Sequence, residues 1–392
     1  MRKMLAAALG VVLAFSLAAC SSSSGGGSGS GSSTTPAASG SSNGSSTREK
    51  GPGNTIYVLG PTPDHGWTAQ AGVYAQQLVN TINTQGQFKA QYMPASSGDA
   101  QNDLANQVIA NGDAAGVVFM AIDDSAQAGQ EALIAANIPF ISFDRIILGP
   151  DKSAILNYSG DNFSVGAGIA YWMQQNGLKP GDTMVSLIGD NTTVSQYRQQ
   201  GFDQFLLGTR QYTDKGTGQT YTTTQTWTQD QLNTLEANYK VVCNWNADNA
   251  SQYLEQSLPD IVQAPTDGNL YVFSMDDEMT LGFLNLLQGN SLDAGTKTAL
   301  QNLNVYTSAV GGMQQLYDVM SGKDTTLGPI ANQYFKGLMS MYFSPQMMNT
   351  AINDMVTYLS GGDWQYNVGD DAYEPVAIVD KTNVSQYTGF QG

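Results

Sequence analysis

Short apolar runs alternate with amphipathic stretches along the chain from about residue 54 onward. The runs have the length of buried strands, and the stretches between them carry apolar residues at helical spacing. The predicted strands are 55–59, 88–93, 116–122, 140–143, 154–158, 184–188, 240–243, 270–274, 305–307, 338–342 and 375–379. The predicted helices are 68–82, 101–110, 126–136, 163–175, 194–207, 231–239, 250–258, 278–287, 313–320 and 345–359. This alternation predicts parallel sheets with helices on both faces.

The part of the chain that can fold is too long for one simple core. It spans about 340 residues, and chains of that length usually divide into two units. We predict an α/β fold of two doubly wound parallel-sheet lobes joined by a hinge. The amino-terminal lobe would contain 53–158 and about 343–373, and the carboxy-terminal lobe 159–342 and about 374–392. The Thr/Gln-rich stretch 209–228 is predicted to be a surface loop or a hairpin insert.

The first twenty residues have the pattern of a secretory signal. Arg2 and Lys3 precede an apolar run that stops at the sequence Leu-Ala-Ala-Cys20. The run is too short to span a membrane, and serine and glycine follow it abruptly. Leu-Ala-Ala-Cys also resembles the bacterial lipobox, in which the cysteine is lipidated and becomes the mature amino terminus. We therefore predict a lipoprotein signal peptide over 1–20 with a lipidated Cys20.

Residues 21–52 consist mainly of Ser, Gly, Thr and Ala with almost no charge. Such a composition is typical of a flexible linker that has nothing to bury. An acyl anchor on the cysteine would hold the protein to a membrane without a spanning helix. Anchor and linker together would place the folded part at the extracytoplasmic face of the bacterial cell membrane.

The chain is strongly acidic. It carries 33 Asp and Glu against 16 Lys and Arg, and without Arg2 and Lys3 the count is 33 against 14, a net charge of −19. This balance argues against nucleic-acid binding, which needs a basic face. Cys243 is the one cysteine besides Cys20. No disulfide is therefore expected within the folded part, and an apolar core must hold it together.

Polar and aromatic side chains follow six of the predicted strands. In an open α/β sheet, the carboxyl ends of the strands face the crevice in which ligands bind. The apolar run 138–147 contains a strand that ends in an adjacent acid and base, Asp144 and Arg145. The other strand ends supply Asp64, His65 and Trp67; Asp123 and Asp124; Asp190 and Asn191, with Gln196 and Arg198 in the next helix; Asn244, Trp245 and Asn246; and Asp276 and Asp277.

This set of side chains complements a sugar. A sugar presents neighbouring hydroxyl groups that both donate and accept hydrogen bonds, and a patch of C–H on one ring face. Asp, Asn and Arg bridge neighbouring hydroxyls with paired hydrogen bonds. Trp supplies a flat apolar surface for the C–H face and one N–H donor. Two lobes with such residues on facing edges could close over a small polar ligand.

The same residues also have plainer interpretations. Asp144 and Arg145 could form a surface ion pair, the tryptophans could pack the lobes together, and His65 could be a hydrogen-bonded loop residue. The Asp pairs could be general acid–base groups or a cation site. Neighbours in sequence usually diverge, so we expect one Asp to face the cleft and the other to cap the next helix, a role that suits Asp277. No nucleotide, metal or hydrolase motif is present, and neither a cofactor nor a metal is predicted.

Three segments carry a resemblance to a known family. Residues 138–147 read IPFISFDRII, residues 159–166 read SGDNFSVG, and residues 374–384 read EPVAIVDKTNV. They are similar to a strand ending in S-Y-D-R-L-I, to a D-N-x-x-V-G segment and to a closing P-V-A-V-T-K-D-N-V. These motifs belong to the xylose-binding and multiple-monosaccharide-binding group of the sugar-binding proteins of bacterial ABC importers, which have the type I periplasmic-binding fold. The resemblance spans about residues 54–390.

The resemblance implies a set of ligand-binding residues. The set comprises Asp144 and Arg145 from the amino-terminal lobe, Arg198, Asp276 and Trp245 from the other lobe, and Trp67 in the first strand-end loop. The strand-end positions add Asn191, Asp64 and His65 as candidate ligand-binding residues. One position departs from the family pattern. After the strand at 305–307 the family usually has a binding Asp, whereas residues 307–312 here read TSAVGG. One carboxylate is therefore missing, and the particular sugar stays open.

The expected function is that of a membrane-anchored, monomeric solute receptor. It would close over a monosaccharide, either a pentose or a hexose, and deliver it to the membrane subunits of an ABC permease without chemistry on the ligand. One alternative is a receptor for another small polar ligand, such as a furanosyl signal or a nucleoside. Another is a lipoprotein glycosidase, which needs two carboxylates facing each other across a glycosidic bond. A structural adhesion lipoprotein would have no closed pocket.

Overall fold

A computed structural model describes residues 50–63, 66–237, 239–264 and 267–391. The predicted signal peptide with Cys20, nearly all of the predicted linker, and the candidate site residues Asp64 and His65 lie outside the described residues. Within the described part, no helix is both long enough and apolar enough to cross a membrane.

Strands and helices alternate along the described chain. The strands are β1 (Thr55–Pro61), β2 (Lys89–Ala95), β3 (Ala114–Met120), β4 (Phe140–Phe143), β5 (Leu156–Gly160), β6 (Thr183–Ile188), β7 (Tyr212–Thr213), β8 (Thr220–Tyr221), β9 (Tyr239–Val242), β10 (Asn269–Ser274), β11 (Asn304–Thr307), β12 (Val310–Gly311), β13 (Phe335–Tyr342), β14 (Asp371–Glu374) and β15 (Ala377–Asp380). The helices are α1 (Gly66–Gln85), α2 (Gly98–Asn111), α3 (Gln127–Ala135), α4 (Asn162–Gln175), α5 (Thr193–Leu206), α6 (Gln229–Glu236), α7 (Ala247–Ile261), α8 (Asp277–Gln288), α9 (Ala294–Gln301), α10 (Gln314–Ser321), α11 (Leu327–Tyr334) and α12 (Met347–Ser360).

The strands form two main sheets. The first has the order β14-β5-β4-β3-β1-β2, and each neighbouring pair is parallel. With α1, α2, α3 and α12 it makes up what we call the first lobe. The second has the order β12-β13-β11-β10-β6-β9, also with parallel neighbours. With α4 to α11 it makes up the second lobe. The predicted α/β class with two parallel-sheet lobes is confirmed.

One strand departs from the predicted parallel pairing. β15 pairs with β13 in the antiparallel direction. β14 runs parallel to β5 and ends at the carboxyl edge of the first sheet, which faces the second lobe. Only two residues separate β14 from β15. The chain therefore enters the second sheet from that sheet's carboxyl edge, and β15 must run against its neighbour.

A close crossing of two helices fixes one wall of the second lobe. α4 and α5 pack through glycines, because a Cβ on Gly166 would lie 1.8 Å from the Arg198 carbonyl oxygen. A Cβ on Gly201 would lie 2.0 Å from the Phe163 carbonyl oxygen. Larger side chains would push the helices apart, and α5 carries Arg198.

The Thr/Gln-rich insert is a hairpin, one of the two forms predicted for it. β7 and β8 pair in the antiparallel direction. The Asp214 carboxylate accepts hydrogen bonds from the Tyr212 hydroxyl (2.6 Å) and the Ile378 N–H (2.8 Å). Lys215 forms an ion pair with Glu374, the last residue of β14. The insert therefore braces the segment that passes from the first lobe to the second.

Four elements escape the sequence patterns: α9, α11, β12 and β14. Two of them are eight-residue helices, and their sequences AGTKTALQ and LGPIANQY contain the poor helix formers Gly and Pro. β14 reads DAYE and lies at a sheet edge with no buried residue, so it has no apolar run. The helix predicted at 231–239 is too long, since α6 ends at Glu236 and Tyr239 begins β9.

Replacing Gly201 by Ala is expected to destabilise the protein, because the added methyl meets backbone that cannot move away without shifting a helix. We expect the free energy of unfolding to fall by about 1–3 kcal/mol, the usual cost of overpacking. Urea unfolding followed by circular dichroism measures it. Gly328 in α11 is the matched control, because a Cβ there meets nothing closer than 3.6 Å. Gly328→Ala should leave stability unchanged or raise it, and equal losses in both variants would contradict the crossing.

Candidate functional site

A cavity lies between the lobes, at the carboxyl ends of β4, β9 and β10. The centres of water molecules have about 50 Å³ of space in it, several times the roughly 10–15 Å³ that one water needs. The lining residues are Trp67, Thr68, Asp144, Arg145, Val194, Arg198, Trp245, Asp276, Glu278, Val310, Gly311 and Phe343. Six of the residues predicted from the sequence are among them: Trp67, Asp144, Arg145, Arg198, Trp245 and Asp276.

Asp144 is the buried acid of the first lobe. It follows β4 directly in a left-handed backbone conformation (φ 63°), which Asp adopts more readily than most residues. It is 6% exposed, and no group in the described part of the chain donates a hydrogen bond to its carboxylate. Burial raises the pKa of Asp144, and the charges of Arg145 and Arg198 oppose that rise. Both carboxylate oxygens can therefore accept hydrogen bonds from a molecule in the cavity.

Arg198 is the buried base of the second lobe. Its Nε donates a hydrogen bond to Asn162 Oδ1 (2.9 Å), and its Nη1 donates to the Met275 carbonyl oxygen. The guanidinium carbon lies 5.3 Å from the ring centre of Trp245 and 5.0 Å from that of Phe343, which is within cation–π range. Burial lowers the pKa of Arg198 to about 10, and nearby carboxylates oppose the shift. The guanidinium thus remains charged at neutral pH.

Asp276 takes both roles that were predicted for the Asp pair, and Asp277 takes neither. Asp276 is the helix cap, since its Oδ1 accepts a hydrogen bond from the Glu278 N–H (2.7 Å), and it also lines the cavity. The Asp277 carboxylate instead accepts from the N–H groups of residues 312–313 (2.7 and 2.6 Å) and from Ser340 Oγ (2.7 Å). The prediction that Asp277 caps the helix was wrong, because its side chain turns across the sheet to the loop after β12.

Both acids have raised pKa values. Burial raises the pKa of Asp276 well above its usual range, and the charges of Asp277 and Glu278 add to the rise. Burial raises the pKa of Asp277 to about 6, although its hydrogen bonds to residues 312–313 and Ser340 oppose the shift. Asp277 therefore serves to hold the loop that brings Val310 and Gly311 to the cavity wall.

The two tryptophans offer ring surface. Trp67 Nε1 donates a hydrogen bond to the Phe343 carbonyl oxygen (2.7 Å), and its ring lies 6.4 Å from that of Phe143. Trp245 Nε1 donates to Asp190 Oδ2 (2.7 Å). The expectation that the indoles provide N–H donors to a ligand was therefore wrong, because the protein itself uses both N–H groups.

A strained turn places the Trp245 indole. Asn244 and Trp245 both have positive φ values, 52° and 59°, which are rare for a bulky residue and cost free energy. The indole lies against Gly189, where a Cβ would be 2.1 Å from the ring. The turn, the glycine and the hydrogen bond to Asp190 together fix the indole in the cavity wall.

Asn191 does not reach the cavity. It is exposed and lines an outer groove together with Asp123, Asp124 and Asp190, while Arg145 and Trp245 line both the groove and the cavity. Nothing in the local sequence indicates that Asp190, and not its neighbour Asn191, contacts a residue of the cavity wall.

Sequence analysis missed Glu278, Phe343 and Val310, which line the cavity. Glu278 directly follows the Asp pair and was within reach of the strand-end argument. Phe343 follows β13 at a crossing between the lobes, and nothing in the local sequence marks it. Among the described residues, no three His, Cys, Asp or Glu side chains cluster closely enough to hold a metal ion.

Residues 56–323 match the sequence model of the periplasmic binding protein domain. The chain belongs to the periplasmic binding protein family. Members of this family bind solutes outside the cytoplasm. No curated protein matches the chain.

Solved structures of several binding proteins have the same fold as this chain. A galactofuranose-binding protein has a TM-score of 0.61 and 13% identity, with 85% of this chain and 96% of that chain covered. The periplasmic binding protein of the arabinose ABC transporter from Shewanella sp. ANA-3 has a TM-score of 0.60 and 14% identity, with 85% and 93% covered. An ABC transporter solute-binding protein from Bacillus halodurans C-125 has a TM-score of 0.60 and 16% identity, with 87% and 99% covered.

Replacing Gly189 by Ala is expected to displace the Trp245 indole, because the new methyl would overlap the ring. An indole that leaves a buried wall for water emits at longer wavelength, so we expect a red shift in tryptophan fluorescence. The same substitution in a Trp245→Phe background is the control and should cause no shift. A shift that persists in that background, or a spectrum that Gly189→Ala leaves unchanged, would contradict this placement of the indole.

Proposed function

We propose that this protein is an extracytoplasmic solute-binding lipoprotein of a bacterial ABC importer. It binds a monosaccharide between its two lobes and delivers the sugar to the membrane subunits of the permease. The observation that carries the proposal is the buried Asp144 carboxylate, which lines the cavity without a hydrogen-bond donor from the described chain. A buried carboxylate without donors is costly, and ligand hydroxyl groups supply such donors.

The other polar groups of the cavity favour a polyol. Asp276 uses Oδ1 to cap α8, and its other oxygen remains as an acceptor. An arginine has five N–H donors, and Arg198 uses two of them in hydrogen bonds to Asn162 and Met275. The others can donate to a ligand. Acceptors and donors in one small cavity match neighbouring hydroxyls, which do both.

The apolar surfaces favour a ring of sugar size. Trp67, Trp245 and Phe343 line the cavity, and flat aromatic rings suit the C–H face of a sugar ring. Relatives of the same fold were solved with α- and β-L-arabinofuranose and with myo-inositol. We therefore include furanoses and cyclitols, together with pentoses and hexoses, among the ligands to test.

We also propose how the protein is arranged in the cell envelope. The lobes would divide at about 158–159, 342–343 and 373–374, with a hinge formed by these crossings. The signal sequence and Cys20 support a lipid anchor, and the linker would let a monomer reach a permease. Asp64 and His65 lie next to Gly66 and Trp67 in sequence, which supports retaining them as ligand contacts.

A panel of monosaccharides and cyclitols is expected to include compounds that raise the melting temperature, because a ligand that binds only the folded state stabilises it. At a hundredfold excess over Kd the gain is about 2.7 kcal/mol, or several degrees in Tm. Differential scanning fluorimetry measures it, with nucleosides as the comparison set. A response to nucleosides alone would overturn the sugar assignment.

Asp144→Asn is expected to weaken binding of the responding sugar about 10- to 100-fold, because a charged acceptor becomes a neutral amide. Isothermal titration calorimetry measures the affinity. Asp124→Asn, at the outer groove, is the control for the charge change and should bind normally. Equal affinity in wild type and Asp144→Asn would contradict the role of this carboxylate.

Sugar affinity is also expected to fall as the pH is lowered from the slightly alkaline to the acidic range. Burial raises the pKa values of Asp144 and Asp276 in the ligand-free protein, and hydrogen bonds from hydroxyls favour the ionised forms. Affinity is therefore full above the ligand-free pKa values and is lost as the pH falls through them. Calorimetry across this range should show a flatter profile for Asp276→Asn than for wild type. A wild-type affinity that is independent of pH would refute the linkage.

A further inference from the structure

We propose that Asp190 is a latch between the lobes that also positions two groups of the ligand cavity, Arg145 and Trp245. The inference rests on the proposed function, because it assigns Asp190 a role in retaining the bound sugar. Asp190 follows β6 and lines the outer groove, whereas Arg145 and Trp245 line both the groove and the cavity. It therefore lies where the cavity meets the groove.

One carboxylate oxygen of Asp190 is fixed by its own loop. Oδ1 accepts hydrogen bonds from the Thr192 N–H (2.9 Å), the Thr192 hydroxyl (2.6 Å) and the Ser195 hydroxyl (3.3 Å). The Asp190 N–H in turn donates to Ser195 Oγ (3.0 Å). These bonds leave the side chain little freedom, so the second oxygen has a defined direction.

That second oxygen faces two cavity residues. Asp190 Oδ2 accepts the hydrogen bond from Trp245 Nε1 at 2.7 Å and lies 3.6 Å from Arg145 Nε. Arg145 belongs to the first lobe, and the other two residues belong to the second. Arg145 Nε is buried and has no other partner among the described residues. One carboxylate thus positions the Trp245 indole and, together with the Ala121 carbonyl oxygen that accepts from Arg145 Nη1 (3.5 Å), the Arg145 guanidinium.

A second contact joins the same two loops. The Thr193 hydroxyl donates a hydrogen bond to the Ile146 carbonyl oxygen (2.9 Å), and this bond is buried. Asp190 and Thr193 therefore hold the adjacent residues Arg145 and Ile146 across the gap between the lobes. Opening the cavity has to break both contacts, so the latch is expected to act on ligand release.

The kinetic test uses the sugar that gives the largest thermal shift with wild type. Stopped-flow measurements give association and dissociation rates for Asp190→Ala, Asp190→Asn and Thr193→Val. We expect Asp190→Ala to release the sugar about 30-fold faster, since it removes the hydrogen bond to Trp245 and one partner of a partly buried ion pair, and such losses act mainly on dissociation. Thr193→Val should accelerate release about 2- to 10-fold. Asp190→Asn, which keeps an acceptor for Trp245, should lie between wild type and Asp190→Ala.

Association rates should change less than threefold, which separates a latch from general damage to the fold. Asp124→Asn is the matched control, because Asp124 lines the same groove and, among the described residues, forms neither a hydrogen bond nor an ion pair with Arg145 or Trp245. Its release rate should stay within twofold of wild type. Release rates within twofold of wild type for both Asp190→Ala and Thr193→Val would overturn the proposal.

A ligand-free measurement keeps the latch separable from the proposed function. Urea unfolding of Asp190→Asn, Arg145→Gln and the double variant gives the coupling between these residues across the lobes. A positive coupling free energy between the two residues supports the latch. If no sugar binds the wild-type protein, only the proposed function is refuted, and this coupling still tests the latch. Additive effects of the two substitutions would overturn the latch.

Discussion

The site depends on one constraint, the burial of acids from both lobes around the buried guanidinium of Arg198. Burying a charge costs free energy unless partners replace water, and the pKa values report that cost: those of Asp144 and Asp276 rise, and that of Arg198 falls to about 10. Arg198 offsets part of the cost for each acid. Because no residue in the described part of the chain donates a hydrogen bond to the Asp144 carboxylate, its burial is most favourable when a ligand supplies the missing hydrogen bonds.

That constraint requires a rigidly held guanidinium, and the packing of the second lobe supplies one. The glycines at the α4–α5 crossing let the backbone of α5 approach α4 closely. Asn162, at the start of α4, can then reach Arg198 Nε, while the Met275 carbonyl oxygen at the end of β10 accepts from Nη1. A helix crossing, a helix start and a strand end thus converge on one side chain. The site is therefore a product of the fold rather than of one loop.

Sequence patterns were sufficient for most strands of the two sheets, though not for β12 and β14, and for the residues that follow those strands. β3 reads AAGVVFM and is buried at all seven positions, so its apolar run identifies it, and parallel order brings distant strand ends together. They were not sufficient for side-chain direction. Loop dihedrals and distant partners such as Ser340 decide which member of the pair 276–277 lines the cavity. They also decide that Asp190, and not Asn191, contacts the cavity wall. The positive φ of Trp245 and its bond to Asp190 leave no local signature for the same reason.

The missing family carboxylate after β11 fits this arrangement. Where the family has a binding Asp, Val310 and Gly311 line the cavity, next to Phe343, whose N–H donates to the Gly311 carbonyl oxygen (3.2 Å). The side chains of this wall offer neither a hydroxyl nor a carboxylate. The Asp277 carboxylate accepts hydrogen bonds from the N–H groups of residues 312–313, and Asp277 is not among the residues that line the cavity. In the proposed function, recognition of hydroxyl groups would therefore fall on the other polar groups of the cavity, among them Asp144, Arg145, Arg198 and Asp276, and a ligand would place an apolar face against Phe343.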